Sequence, residues 1–193
     1  MALTPHPEVM DFLLTRRSRP APTLTGPAPD RTALMPILEA AARTPDHGKL
    51  EPWRFIVLDG AALTRLADLT LKRGTAKAEP EEKLAKAANH FRTAPQIVAV
   101  IASPQASEKV PAIEQHLSAG AVCLALLNAA QASGWGANWL TSWMATDPEW
   151  LREGLSLQEG EFVAGFIHIG TQTSTPPDRP RPDLEAITTW VQE

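Results

Sequence analysis

Cysteine is almost absent from this sequence: Cys123 is the one thiol, so no internal disulfide can form. It lies in the apolar helical run Ala121-Val122-Cys123-Leu124, where a buried, inert thiol is expected. No stretch of about 18 apolar residues occurs, so no membrane-spanning helix is expected. No basic segment leading into an apolar one opens the chain, and a soluble, cytoplasmic protein is the expectation. His6, His47, His90, His116 and His168 are far apart and share no helical spacing, which leaves no zinc signature. A Gly-x-Ser-x-Gly nucleophile elbow and a Walker loop are both missing. Gly134-Trp135-Gly136 follows a helical run rather than a strand, so a dinucleotide fold is a poor reading. With no nucleophile, metal signature or dedicated nucleotide fold, the hard chemistry is expected to come from a bound organic cofactor.

What is present fits one domain spanning residues 1–193, long enough to bury a substantial core. Hydrophobic residues make up 44% and charged residues 21%, a globular composition. The formal net charge of -4 argues against a nucleic-acid partner, which wants a basic face. A small phosphate ligand stays open, because two or three clustered arginines can serve one.

Hydrophobic spacing predicts a short helix over Pro7 to Thr15, then a proline-rich connector from Pro20 to Asp30. Asp30 is read as the N-cap of a helix ending before Pro45, its first turns kinked or shortened by Pro36. Trp53 to Leu58 reads as a buried strand, and Ala61 to Arg73 as a helix capped by Gly74. Thr75 to Phe91, with a charged helix from Pro80 to His90, reads as a peripheral excursion able to cover a pocket. Gln96 to Ala102 is a second strand. Pro111 to Ser133, apolar nearly all round, is read as a central buried helix. A short strand or turn at Asn138 to Thr141, a helix capped by Asp147, a strand at Phe162 to Gly170 and a last helix at Leu184 to Val191 complete the chain. Helices and strands do not alternate strictly, which favours an α+β fold over a doubly wound sheet.

Two stretches carry chemistry. Arg16-Arg17-Ser18 sets two guanidinium forks and a hydroxyl at the end of a helix, a set suited to phosphate oxygens. The same residues could instead answer the negative end of that helix. The loop from Arg43 to Phe55 concentrates Arg43, Asp46, His47, Lys49, Glu51 and Arg54 between two apolar elements. A ligand-binding loop and a polar linker are both compatible with it, and His47 could simply cap the preceding helix.

Taken in order, these pieces resemble the nitroreductase family of flavoproteins, closest to its small NAD(P)H nitroreductase branch. The resemblance runs from Arg16-Arg17-Ser18 through Arg43-Thr44-Pro45-Asp46-His47 and Pro52-Trp53-Arg54-Phe55. It continues through Lys109-Val110-Pro111, Ser118-Ala119-Gly120, Gly134-Trp135-Gly136-Ala137-Asn138-Trp139 and Val163 to Thr171. It implies an α+β, nitroreductase-like fold: a mostly antiparallel sheet flanked by helices, with a long central helix at a homodimer interface. It also implies FMN at that interface, reduced by NAD(P)H and reoxidised by a nitroaromatic, quinone or similar planar acceptor in ping-pong fashion. By the family's pattern Arg16, Arg17 and Ser18 would hold the phosphate and ribityl end. Arg43 and His47 would reach the same flavin from the other subunit, and Trp139, Leu140 and Thr141 would approach it after the central helix. No side chain is expected to act as an obligatory proton donor. The lysine that larger relatives carry after the Arg-x-Ser triplet is missing here, at Arg19-Pro20, and Arg43 is expected to take its role near the flavin. Glu51 and Leu140 depart from the branch. Trp53 and Trp143 are expected to pack in core or interface, and Arg179 or Arg181 could bring a basic tail residue to the phosphate. A flavin-binding carrier or sensor with little turnover is the alternative function on the same fold, and a flavin-consuming or dehalogenating relative is another.

Overall fold

The computed structural model describes residues 4–192. Its elements are α1 (Pro7–Thr15), β1 (Leu24–Thr25), α2 (Arg31–Ala41), β2 (Trp53–Leu58), α3 (Gly60–Ala76) and α4 (Glu81–Arg92). After these come β3 (Gln96–Ala102), α5 (Ala112–Ala132), β4 (Gly136–Leu140), α6 (Pro148–Leu155), β5 (Phe162–Gln172) and α7 (Leu184–Ile187). Short 3-10 turns lie at Ala21–Thr23, His47–Lys49 and Trp143–Ala145.

The sheet runs β1-β5-β3-β2, with β4 also paired to β5. Every one of these pairings is antiparallel. β3 is buried along its whole length, which explains its unbroken apolar run. Alternate residues of a strand face opposite ways. Ile97, Ala99 and Ile101 therefore join Leu66, Phe91, Trp150 and Phe166 on the α3, α4 and α6 side. Val98 and Val100 join Ile37, Val122 and Leu126 on the α2 and α5 side. The first layer is fixed by aromatic contacts: Phe91 lies 5.4 Å from both Trp150 and Phe166, and Trp150 Nε1 donates to Thr70 Oγ1 at 3.0 Å.

Both predicted N-caps are formed. Asp30 accepts from the Ala33 amide and Asp147 from the Trp150 amide, each at 2.8 Å. α2 continues through Pro36. Its ring sits on the exposed side of the helix, away from the packed face formed by Leu34, Ile37 and Ala41.

Other expectations are corrected. Gly74 does not cap α3; it is buried inside the helix, where a Cβ would run into Leu84 of α4. The residue is glycine because two helices approach closely there, and the left-handed turn falls instead at Ala78, φ 54°. Nor is α4 a peripheral excursion, since Leu84, Ala87, Ala88 and Phe91 are buried. The connector after Pro20 contains β1, whose two residues pair with Gln172 and Thr171. α7 stops at Ile187, four residues short of the expected end, and buries nothing.

The largest correction concerns α5. One face is buried through Ala119, Val122, Cys123, Leu126, Leu127 and Ala130. Ile113, Leu117 and Leu124, at 61%, 66% and 46% exposure, form an apolar stripe on the open face. An all-round apolar pattern signals a covered helix without saying which chain covers it.

Candidate functional site

The first cluster forms where α1 ends. Arg16 turns to an extended conformation, φ -57° and ψ 142°, and the next residues run past the end of α5 and the start of β4. Backbone and side-chain bonds hold them there: the Arg19 amide donates to the Ala137 carbonyl at 2.9 Å, and Asn138 Nδ2 donates to the Arg19 carbonyl at 2.7 Å. Arg16 Nε donates to Gln131 Oε1 at 3.1 Å, and its Nη2 to Ser18 Oγ at 3.0 Å. The Arg16 side chain is thus committed to Gln131 and Ser18 rather than to the carbonyls ending α1. Arg17 donates to Asp178 Oδ1 at 3.0 Å and to the Pro177 carbonyl; Arg181 reaches the same carboxylate oxygen at 3.2 Å.

Burial, and then the positive charges of Arg181, Arg17 and Arg19, hold the Arg16 guanidinium below its ordinary pKa. Among the described residues neither Arg16 nor Arg19 forms an ion pair, and Asp178 is shared by Arg17 and Arg181. Arg16 feels the charge of three further arginines, and the one carboxylate here pairs with two of them, so a phosphate dianion would relieve the cluster. The tail arginine comes here through Arg181.

The second cluster forms after α2. Arg43 is exposed at the helix end and makes no ion pair among the described residues. His47 Nδ1 lies 2.7 Å from Glu114 Oε2, in the first turn of α5, so His47 does not cap α2. Ser118 Oγ donates to the Pro45 carbonyl at 2.8 Å and accepts from Trp53 Nε1 at 3.1 Å, tying the loop to α5. Asp46 accepts from the Leu50 and Glu51 amides at 3.2 and 2.8 Å. These bonds hold Lys49 and Glu51 at φ 54° and 47°, in the left-handed region.

Within one chain the two clusters do not meet. Gln131 and Glu114 stand near opposite ends of α5, roughly 25 Å apart along its axis at 1.5 Å per residue. Leu117 and Leu124 of the apolar stripe lie between them.

β4 carries the third set. Trp139 is 36% exposed, and its Nε1 donates to the Ala164 carbonyl at 3.3 Å. The β3–β5 ladder shifts register beside Ala164, which leaves that carbonyl for the indole. Leu140 pairs with Phe166 and is half-buried; Thr141 follows the strand, exposed. Trp53 and Trp143 pack against the two cores instead.

Cys123 and His168 are buried outside these clusters. Burial pushes the Cys123 thiol up to about 12 and, with the His90 charge second, pushes His168 down to about 3. Neither is ionised near neutrality. A cavity of about 610 Å³ lies between α6 and β5 beside Leu151, Leu157 and Phe162, away from all three clusters.

The Nitroreductase family model matches residues 16–171, from the first arginine of the cluster into β5. The chain belongs to the Nitroreductase family. A Haemophilus influenzae protein named "Putative NAD(P)H nitroreductase" is 40% identical over 166 residues, 85% of this chain and 88% of the relative. A nitroreductase-like family protein from Bacillus cereus superposes over the whole of both chains with a TM-score of 0.81 at 22% identity. A mutant of the FMN and NADPH-dependent nitroreductase NfnB, from sphigopyxis sp. strain HMH, gives 0.75 at 18% identity, covering 94% of this chain and 97% of the other. At those identities the two structures establish the fold.

In this nitroreductase-family chain, the sequence gives no sign of the contacts that Gln131, Asn138 and Asp178 make with the Arg16–Arg19 segment. Each acts on the Arg16–Arg19 segment from more than a hundred residues away. Such pairings leave no local period or cap signal.

Proposed function

We propose that two copies of this chain form a homodimer binding FMN at their interface, and that it is an NAD(P)H-dependent oxidoreductase of the cytoplasm. The acceptor is a nitroaromatic, a quinone or a similar planar molecule, served in alternation with the nicotinamide. The observation that carries this reading is the separation of two polar clusters by the exposed apolar face of α5 at Leu117 and Leu124, continued by Ile113. An isologous contact of two α5 helices running antiparallel covers that stripe. It also brings the Arg43–His47 loop of one copy beside the Arg16–Ser18 segment of the other. α1 supports the same contact, since it buries no residue in its own chain and exposes Val9, Met10, Leu13 and Leu14. An apolar surface of this extent favours a protein partner.

The residues present suit FMN. Arg16 and Arg17 offer guanidinium forks and Ser18 a hydroxyl to the phosphate and ribityl end, at a site whose positive charge is not balanced internally. Arg43 and His47, from the second copy, approach the ring, and Arg43 supplies its positive charge with no ion pair among the described residues. Trp139 gives the ring an apolar wall, with Leu140 and Thr141 next to it. When bound, the flavin supplies the hydride and electron transfer. The side chains bind, orient and exclude water, and protons come from solvent. The names of the Haemophilus relative and of NfnB favour NAD(P)H as donor and FMN as cofactor.

The test is anaerobic titration of the purified protein with NADH and with NADPH, read in the flavin spectrum. Bleaching by either nicotinamide and return of colour with a quinone is the expected result. A flavin that stays oxidised with both donors overturns the enzymatic reading.

A further inference from the structure

We infer that Gln131 is the positioning residue of the phosphate cradle, and that its neutrality keeps Arg16 available to an anion. The inference rests on the proposed binding of FMN at Arg16–Ser18. Gln131 lies in the last turn of α5, and its amide is used at both ends. Oε1 accepts from Arg16 Nε at 3.1 Å; Nε2 donates to the carbonyls of Arg17 at 2.8 Å and Ala137 at 3.2 Å. The orientation of the amide is determined by its partners, because a guanidinium only donates and a carbonyl only accepts. One side chain thereby fixes the Arg16 fork, the backbone of Arg17 and the start of β4 relative to one another.

The bond to Nε and the bond from Nη2 to Ser18 leave the rest of the fork without a partner among the described residues. A glutamate at this position would differ in two ways. Its carboxylate would pair with Arg16 and compete with a phosphate for the same cation. It would also set an acceptor against the Arg17 and Ala137 carbonyls, where the amide now donates. Glutamine orients the arginine without neutralising it.

Phosphate recognition can be separated from general damage by comparing FMN with riboflavin, which carries the same ring without the phosphate. The full-length protein and its Gln131→Glu and Gln131→Met variants are titrated with each flavin, and the ratio of the two Kd values is read. Wild type is expected to favour FMN. In Gln131→Glu that preference falls by about tenfold or more, the equivalent of one hydrogen bond to a charged group. Riboflavin affinity stays within about twofold. Gln131→Met keeps the charge on Arg16 but releases its fork, and the preference falls by about threefold. Should Gln131→Glu fail to fold, Gln131→Met alone decides, by whether its preference falls. Variants that keep the wild-type preference, whatever their absolute affinities, overturn this inference alone. A wild type that takes up neither flavin overturns the proposed function first, and this inference with it.

Discussion

Trp139 lies against Gly165. A Cβ at residue 165 would run into the indole and come within 2.9 Å of Cys123 Sγ. Glycine is needed there for the close approach of a ring to β5, with no demand on backbone angles. Gly165→Ala is expected to push the indole off the sheet and lower stability by about 1–3 kcal/mol. Near-ultraviolet circular dichroism and thermal melting read the two effects. An unchanged aromatic spectrum with an unchanged Tm contradicts the contact.

Asp178 occupies Arg17, at 3.0 Å, while lying almost fully in solvent. An exposed pair of this kind contributes little, because solvent screens it. Asp178→Ala is therefore expected to strengthen FMN binding by up to about fivefold, by removing a competing anion. Equilibrium titration checks this, and weaker binding would assign Asp178 to holding the cradle instead.

Glu161 accepts both forks of Arg54 at 2.8 Å, and these bonds, foremost among the causes, hold its carboxyl at about 2 against an ordinary value of 4.5. A carboxyl whose folded pKa is depressed contributes stability above its unfolded pKa and loses it as pH falls toward the folded one. The contribution is thus complete above about pH 4.5 and fades toward pH 2. Glu161→Gln should be less stable than wild type by about 1–3 kcal/mol at neutral pH. Denaturant unfolding at several pH values should show that difference shrinking through the acid range; a constant difference would contradict the linkage.

These relationships differ in how far the sequence exposes them. Gln96 to Ala102 and Phe162 to Gly170 are legible because a strand buried on both faces is apolar along most of its length. Asp30 and Asp147 are legible because capping is local. β1 is not, since two residues make no period and the strand partner of Leu24 is Gln172, far along the chain. Gly74 misleads for a related reason: its close neighbour, Leu84, belongs to another helix. In the candidate site, Arg16-Arg17-Ser18 and Arg43 to His47 are visible as compact polar groups, whereas Gln131 reads as one more residue of an apolar helix. The open face of α5 is illegible in principle, because cover by the same chain and cover by a second copy select the same side chains.

That open face gives a direct mutational prediction. Leu117 is exposed in the single chain, so Leu117→Glu leaves the fold and Tm of a monomer little changed. At an α5–α5 contact it buries an unpaired charge, and dimer affinity should fall at least about hundredfold. Flavin should be lost with the dimer. A Leu117→Glu protein that stays dimeric at micromolar concentration excludes α5 as the contact.

The most direct measurement is sedimentation velocity of the purified protein with added FMN, followed at a protein wavelength and at a flavin wavelength. One boundary of dimer mass, with flavin sedimenting in it at one FMN per chain, is the predicted result. A colourless monomer boundary, with all flavin left in the supernatant, would contradict the account.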